Sequence, residues 1–269
     1  MVEQDLVDRL GTRKMKAILS LTVLAALGLT APVAARSLDT IRSAGKLGLC
    51  AHPNSLPFAS KAGDPPGFQV EMGHALARQL GVTLELDWII TIYQLRSADC
   101  DIVMDAIADR EAQGETRLRI SKPYYRTGVA LVVPSDSKLT SFKDLNEHTK
   151  VGVQVGSMAA MVLSRRHVAT STFGFEEDSL EAVANREIDA AAVTPAAAGY
   201  FNLTHAGNAV RILGLDESEA NLTWNVGVGM VRPDEKLREA IDEALEQLRT
   251  DGTVDRIYGR YGIVLQTPK

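Results

Sequence analysis

Several chemistries have few residues to stand on in this chain. Its five histidines, His52, His74, His148, His167 and His205, are scattered and lack the spacing of metal ligands. It has no glycine-rich phosphate loop of the P-loop or dinucleotide type. No basic stripe interrupts it, which argues against nucleic acid as a partner. No catalytic constellation emerges, and no cofactor or metal is expected. Cysteine occurs twice, at Cys50 and Cys100.

Long apolar runs are also scarce, with one exception near the start. Lys14 and Lys16 precede "AILSLTVLAALGL", and "TAPVAARS" follows. A basic flank, about a dozen apolar residues and a small-residue site describe a secretory signal peptide. Cleavage is expected after Ala35, which sets residues 1–35 apart as the signal. A membrane anchor would need about 20 apolar residues instead. Removing the signal takes four of the 29 Lys/Arg and three of the 34 Asp/Glu, leaving a net charge of −6. Export places both cysteines in an oxidising compartment, where pairing is the commoner outcome. Two buried free thiols remain the alternative, because spacing alone does not establish disulfide geometry. Parallel neighbouring strands in simple register would hold the two sulfurs too far apart.

What the sequence does contain is alternation. "KLGLCA" (46–51) reads as a strand. Phe68, Met72, Ala75, Leu76 and Leu80 mark one face of a helix that Gly81 can end. Val82, Leu84, Leu86 and Trp88 alternate with Thr83, Glu85 and Asp87, as in a half-buried strand. "DIVMDAIA" from Asp101 is a near-continuous apolar run, the mark of a sheet covered on both faces. "VALVVP" (129–134) is another strand. From Lys150 the order strand, helix, strand, helix, strand begins again through "KVGVQV", "GSMAAMVLSRR", "STFGF", "SLEAVANRE" and "IDAAAVTP". A long amphipathic helix follows, with Leu237, Ala240, Ile241, Ala244, Leu245 and Leu248 on one stripe.

Two such units predict an α/β protein of two lobes, each a mostly parallel sheet flanked by helices. Lobe one is expected to hold residues 36–134 and 228–269, and lobe two residues 135–227. "VVPSDSKLTSFKDL" and "WNVGVGMVRP" would be the two crossover segments. Ligands of such sheets bind outside the carboxyl ends of the strands, so two lobes can share one cleft.

The residues expected at that cleft follow from this placement. A proline-stiffened loop after the first strand carries Asn54, Ser55 and Phe58. Tyr93 and Tyr124 lie near strand ends, where an aromatic ring stacks on a flat ligand or packs a lobe. Gly156 and Ser157 open a helix directly after a strand, which makes an anion site or a plain N-cap. Arg110 or Arg117 could complete a guanidinium clamp, and Asp105, just past a buried strand near the expected cleft, is a candidate partner for them. Solvated charges and a turn role are the plainer readings of these three. Thr194 ends the last buried strand of the second unit.

In order along the chain, "SLDTIRSAGKLGLC", "GFQVEMGHALARQLGV", "DIVMDAIADR", "SKPYYRTGVALVVP", "DLNEHTKVGVQVGSMAA", "EAVANREIDAAAV" and "VGVGMVRPDEKLREAIDEAL" resemble the extracellular solute-binding proteins of family 3. The resemblance covers nearly all of residues 37–264 and implies the type 2 periplasmic binding protein fold. "LCAHPNSLPFAS", "CDIVMDAIA", "TRLRISKPYYRTGVALV", "VGVQVGS" and "AAAVTPAAAGYF" look closer to the MoxJ/XoxJ branch, which serves quinoprotein (methanol or related alcohol) dehydrogenases. The branch shares a strand ending in Cys and a Cys-Asp pair before the third strand, which implies a Cys50–Cys100 bridge.

Two departures stand out. Trp88 and Asp101 are separated by only "IITIYQLRSADC", where most relatives have a full helix. Amino-acid binders carry an Asp where this chain has Thr194 and Pro195; its absence argues against a zwitterionic ligand, since a buried ammonium needs a paired charge. The resemblance thus implies a periplasmic, monomeric protein without catalysis. It would bind a small polar or carboxylate ligand, such as the quinone cofactor, beside a quinoprotein dehydrogenase. The alternatives are an ABC-importer receptor working with a permease and, less favoured, an enzyme of the cyclohexadienyl dehydratase type.

Overall fold

The computed structural model describes residues 37–108, 118–215 and 220–269. The segment 1–35 expected to be a signal peptide, Arg110 and Arg117 lie outside the described residues. Helix α1 (Leu38–Ala44) is capped by the Ser37 hydroxyl and ended by Gly45 at φ 69°. Strand β1 (Lys46–Ala51) sends Leu47, Leu49 and Ala51 into the main core and turns Gly48 and Cys50 to the other face. The short strands β2 (Asn54–Ser55) and β3 (Ala59–Ser60) pair as a small hairpin. Helix α2 (Phe68–Leu80) buries the predicted face and stops at Gly81, φ 76°. Strand β4 (Thr83–Trp88) follows, then a 3₁₀ turn at Ile92–Arg96, and then β5 (Ile102–Ile107), β6 (Leu118–Ile120) and β7 (Tyr125–Gly128).

The second half contains β8 (Ala130–Val133), β9 (Val151–Gln154), α3 (Met158–Arg165), β10 (Thr170–Phe173), α4 (Glu176–Ala184), β11 (Ala190–Val193), α5 (Pro195–Thr204) and β12 (Arg211–Leu215). Strand β13 (Thr223–Val231), α6 (Glu235–Thr250) and α7 (Thr253–Gly259) complete the chain.

The strands form two main sheets. The first has the order β4-β1-β5-β13-β6, with β7 also on β13; the second has the order β10-β9-β11-β8-β12. In each, three strands run parallel and the rest join antiparallel. Helices α2, α6 and α7 cover one face of the first sheet around Phe68, Leu76, Ile241 and Tyr258. Helix α3 packs on one face of the second sheet, and α4 and α5 on the other.

Strand β8, expected in lobe one, is hydrogen-bonded between β11 and β12 of the second sheet. Strand β13, which the expected boundary divided at residue 228, lies wholly in the first. The chain therefore changes sheet at Val129 and again between Leu222 and Thr223. These two points touch: the Val129 N–H donates to the Leu222 carbonyl at 2.8 Å. Gly128 permits the approach, because a Cβ there would lie 2.9 Å from the Thr223 Cα. An apolar run such as "VALVV" shows that a strand is buried without showing which sheet pairs with it.

Cys50 and Cys100 are bridged, with Cα atoms 5.4 Å apart. The sulfurs meet because Cys100 precedes β5 rather than sitting in register on it. In the β1–β5 pairing Cys50 is opposite Val103. The segment from Asp99 to Asp101 folds across β1 at Gly48, whose missing side chain leaves room; a Cβ there would be 3.0 Å from the Cys100 Cα. The Asp101 carboxylate accepts the Gly48 N–H at 2.7 Å and holds that segment down. In place of a full crossover helix, this short connection has one 3₁₀ turn and a covalent staple.

Candidate binding cleft

A cavity of about 260 Å³ lies between the loop after β1 and the helix N-termini of the second sheet. Asn54, Ser55, Leu56, Pro57 and Phe58 line it from the first side. Gln154, Glu176, Thr194, Tyr200 and neighbouring residues line it from the second.

The first wall is fixed by its own backbone. The carbonyls of Pro57 and Phe58 accept the N–H groups of Phe68 and Gln69, each at 2.9 Å. They thereby cap the opening of α2, whose first N–H groups have no partner within the helix. Gly67, at φ 93°, lies flush on the Phe58 carbonyl where any side chain would collide. The Phe58 ring rests on Phe68, with centroids 5.1 Å apart.

The second wall centres on Glu176, in the first turn of α4. Its carboxylate accepts the Thr194 N–H and the Thr194 hydroxyl, both at 2.7 Å. The same hydroxyl oxygen accepts the Ala197 N–H and caps α5. Burial pushes the Glu176 carboxyl above the usual glutamate range, against the opposing pull of the two Thr194 hydrogen bonds. Glu177 and Asp178 also border the cavity. Asp178 accepts the Phe175 N–H, and all three acids suit the positive end of the helix dipole. Among the described lining residues three are carboxylates and none is basic.

Asn54, Ser55, Phe58 and Thr194 thus line one cavity. The other expected residues that the structure describes lie elsewhere. Tyr93 is 83% exposed on the 3₁₀ turn. Tyr124 is buried in an aromatic cluster with Tyr125 and Tyr258. The arginines expected to pair with Asp105 lie outside the described residues. Asp105 accepts hydrogen bonds from Tyr124 Oη (2.6 Å), Tyr258 Oη (3.1 Å) and Gln69 Nε2 (2.8 Å). Burial also drives its carboxyl upward. Its φ of 55° coincides with a register shift where β5 meets β13. Ser157 accepts the Ala160 N–H as the N-cap of α3, and neither it nor Gly156 borders the cavity.

Glu176 is the lining carboxylate that the sequence does not announce. The Asp expected at 194 is absent, yet a carboxylate reaches that spot from a neighbouring helix. The run "FEEDS" reads as a helix start and carries no signal of the contact. Helix α5 was also missed, although Thr194 as N-cap followed by Pro195 is a recognisable start.

The profile of the bacterial extracellular solute-binding proteins, family 3, matches residues 47–263. A probable histidine-binding protein of Neisseria gonorrhoeae is 23% identical over 76% of this chain and 78% of its own. Protein MoxJ of Paracoccus denitrificans is 33% identical over 114 residues, which is 42% of this chain and 38% of its own. Among solved structures, an ancestral cationic amino acid solute-binding protein superposes with a TM-score of 0.72 at 26% identity. That superposition covers 84% of this chain and 99% of the other.

Proposed function

Because the chain belongs to the bacterial extracellular solute-binding proteins of family 3, we propose that it is a non-catalytic, exported receptor that closes two lobes on a small organic cation. Glu176 carries this reading. A half-buried carboxylate, raised by desolvation and without a basic neighbour among the described lining residues, costs free energy. A ligand ammonium or guanidinium placed against it removes that cost. Asn54, Ser55 and Gln154 offer further hydrogen bonds, and the rings of Phe58, Phe175 and Tyr200 offer faces to a cation. The cavity lies just below the usual small-ligand range of about 300–1,000 Å³, which suits a solute of amino-acid size. A flat polycarboxylate, such as a quinone cofactor, would meet like charge instead. A receptor of this kind hands its ligand to the permease of an ABC importer.

Calorimetric titration of the purified mature protein tests the reading. L-Arginine, L-lysine or L-histidine is expected to bind, while L-glutamate and the quinone cofactor are not. Binding of glutamate or the quinone, with none of the cations bound, overturns it.

The Cys50–Cys100 staple and the stretch shared with MoxJ favour a second reading, an accessory of a periplasmic quinoprotein dehydrogenase. Co-purification of such a dehydrogenase on the immobilised protein would support that reading.

A further inference from the structure

Two covalent crossings join the lobes, and the C-terminal segment makes a third contact between them. The segment is anchored first in lobe one. The Tyr261 hydroxyl donates to Glu71 Oε1 at 2.7 Å and accepts the Gly67 N–H at 3.0 Å. The next residue, Gly262 (φ 70°), lies backbone to backbone against Gly199 of α5. A Cβ on Gly262 would sit 2.6 Å from the Gly199 carbonyl oxygen, and one on Gly199 would overlap the Gly262 carbonyl. The rings of Tyr200 and Tyr261 pack beside this contact, with centroids 5.9 Å apart.

Beyond Gly262 the segment runs along the strands that lead into the crossings. The Arg126 N–H donates to the Gln266 carbonyl at 2.8 Å. Asn225 Nδ2 donates to the Lys269 carbonyl at 2.7 Å, and the Lys269 N–H donates to Asn225 Oδ1 at 3.2 Å. Arg126 and Asn225 are opposite one another on β7 and β13. The segment is therefore pinned to both hinge strands and to the lobe-two helix that carries Tyr200 and is capped by Thr194.

We infer that residues 261–269 form a strap across the hinge which holds the ligand-free lobes toward the closed arrangement. The paired glycines let α5 sit flush on lobe one, where any larger residue would wedge the two apart. Helix α5 supplies part of the cavity wall, so the strap presets the distance between the walls. Apparent affinity then falls by the same factor as the closed fraction. The inference rests on the two-lobed cleft of the proposed receptor, whatever its ligand.

The test is an inter-lobe distance distribution in the ligand-free protein, from spin labels at Lys61→Cys and Met161→Cys. Gly199→Val is expected to move the distribution to longer distances. Asn225→Ala, which removes two strap bonds without a steric wedge, is expected to move it the same way by less. Gly207→Ala, at an exposed glycine with open space around it, should leave it as in the wild type. An unchanged distribution in a folded Gly199→Val protein overturns the strap. If that variant does not fold, an unchanged distribution in Asn225→Ala overturns it. No ligand enters this measurement, so failure of the cation reading and failure of the strap are told apart.

Discussion

At the scale of single residues, a carboxylate from one element has taken the place left empty on another. The Glu176–Thr194 contact joins residues 18 positions apart, and only the packing of α4 beside α5 brings them together. Glu176→Gln is expected to weaken binding of a cationic ligand by tenfold or more, since losing one partner of a buried charge pair costs about 2–5 kcal/mol. Calorimetry on the variant measures this. Glu176 accepts the N–H and hydroxyl of Thr194, the N-cap of α5, and shares the cavity lining with Glu177, Asp178, Tyr200 and the uncharged Asn54 and Ser55. Burial raises its carboxyl, so protonation begins at a higher pH than for an exposed glutamate. Affinity should therefore fall on acidification through that raised value, and Glu176→Gln should flatten the profile.

Asp105 makes the complementary case for stability. Its folded-state carboxyl is raised by burial above the unfolded value of about 3.9. Its contribution is therefore fully present below the unfolded value and is lost as pH rises through the folded one. Asp105→Asn, which tolerates the same positive φ, should remove that slope from a plot of Tm against pH. An unaltered slope would assign the pH dependence to other groups.

At the scale of elements, the strands and long helices follow patterns short enough to read locally. Strand β1 occupies the expected residues. The stripe of α6 buries Leu237, Ile241, Ala244, Leu245 and Leu248, as its spacing requires. Sheet membership was not legible, because β8 is apolar throughout and fits either sheet. The disulfide was readable as an option, and the path that closes it was not. It depends on Gly48 admitting the 99–101 backbone, and a glycine inside a strand can serve several ends. Replacing both Cys50 and Cys100 by alanine is expected to lower stability by about 2–5 kcal/mol, measured by urea unfolding under oxidising conditions. Gly48→Ala should cost about 1–3 kcal/mol by overpacking the same spot, with β1 and its neighbours otherwise retained.

At the scale of the whole molecule, the cavity is lined by both halves of the chain. Asn54, Ser55 and Phe58 become a cavity wall only where α4 and α5 stand opposite them, and Tyr93 and Tyr124 do not border that cavity. Saturating cationic ligand should stabilise the protein by RT ln(1 + [L]/Kd), about 2.7 kcal/mol at a hundred times Kd. If the strap already favours closure, small-angle scattering should show little compaction on ligand addition in the wild type and a clear decrease in radius of gyration in Gly199→Val.

The sequence by itself determined the α/β alternation, the two-lobed architecture, the loop after the first strand and the stop at Thr194. Each rests on a pattern repeated within a few residues: apolar periodicity, capping residues, or glycine and proline where the backbone turns. Only the tertiary structure decided which strands share a sheet, how Cys100 reaches Cys50, that Asp105 turns to tyrosines, and that Glu176 stands on Thr194. Those outcomes depend on distances between segments far apart in the chain. Such distances follow from sheet register and helix packing, which no local pattern encodes.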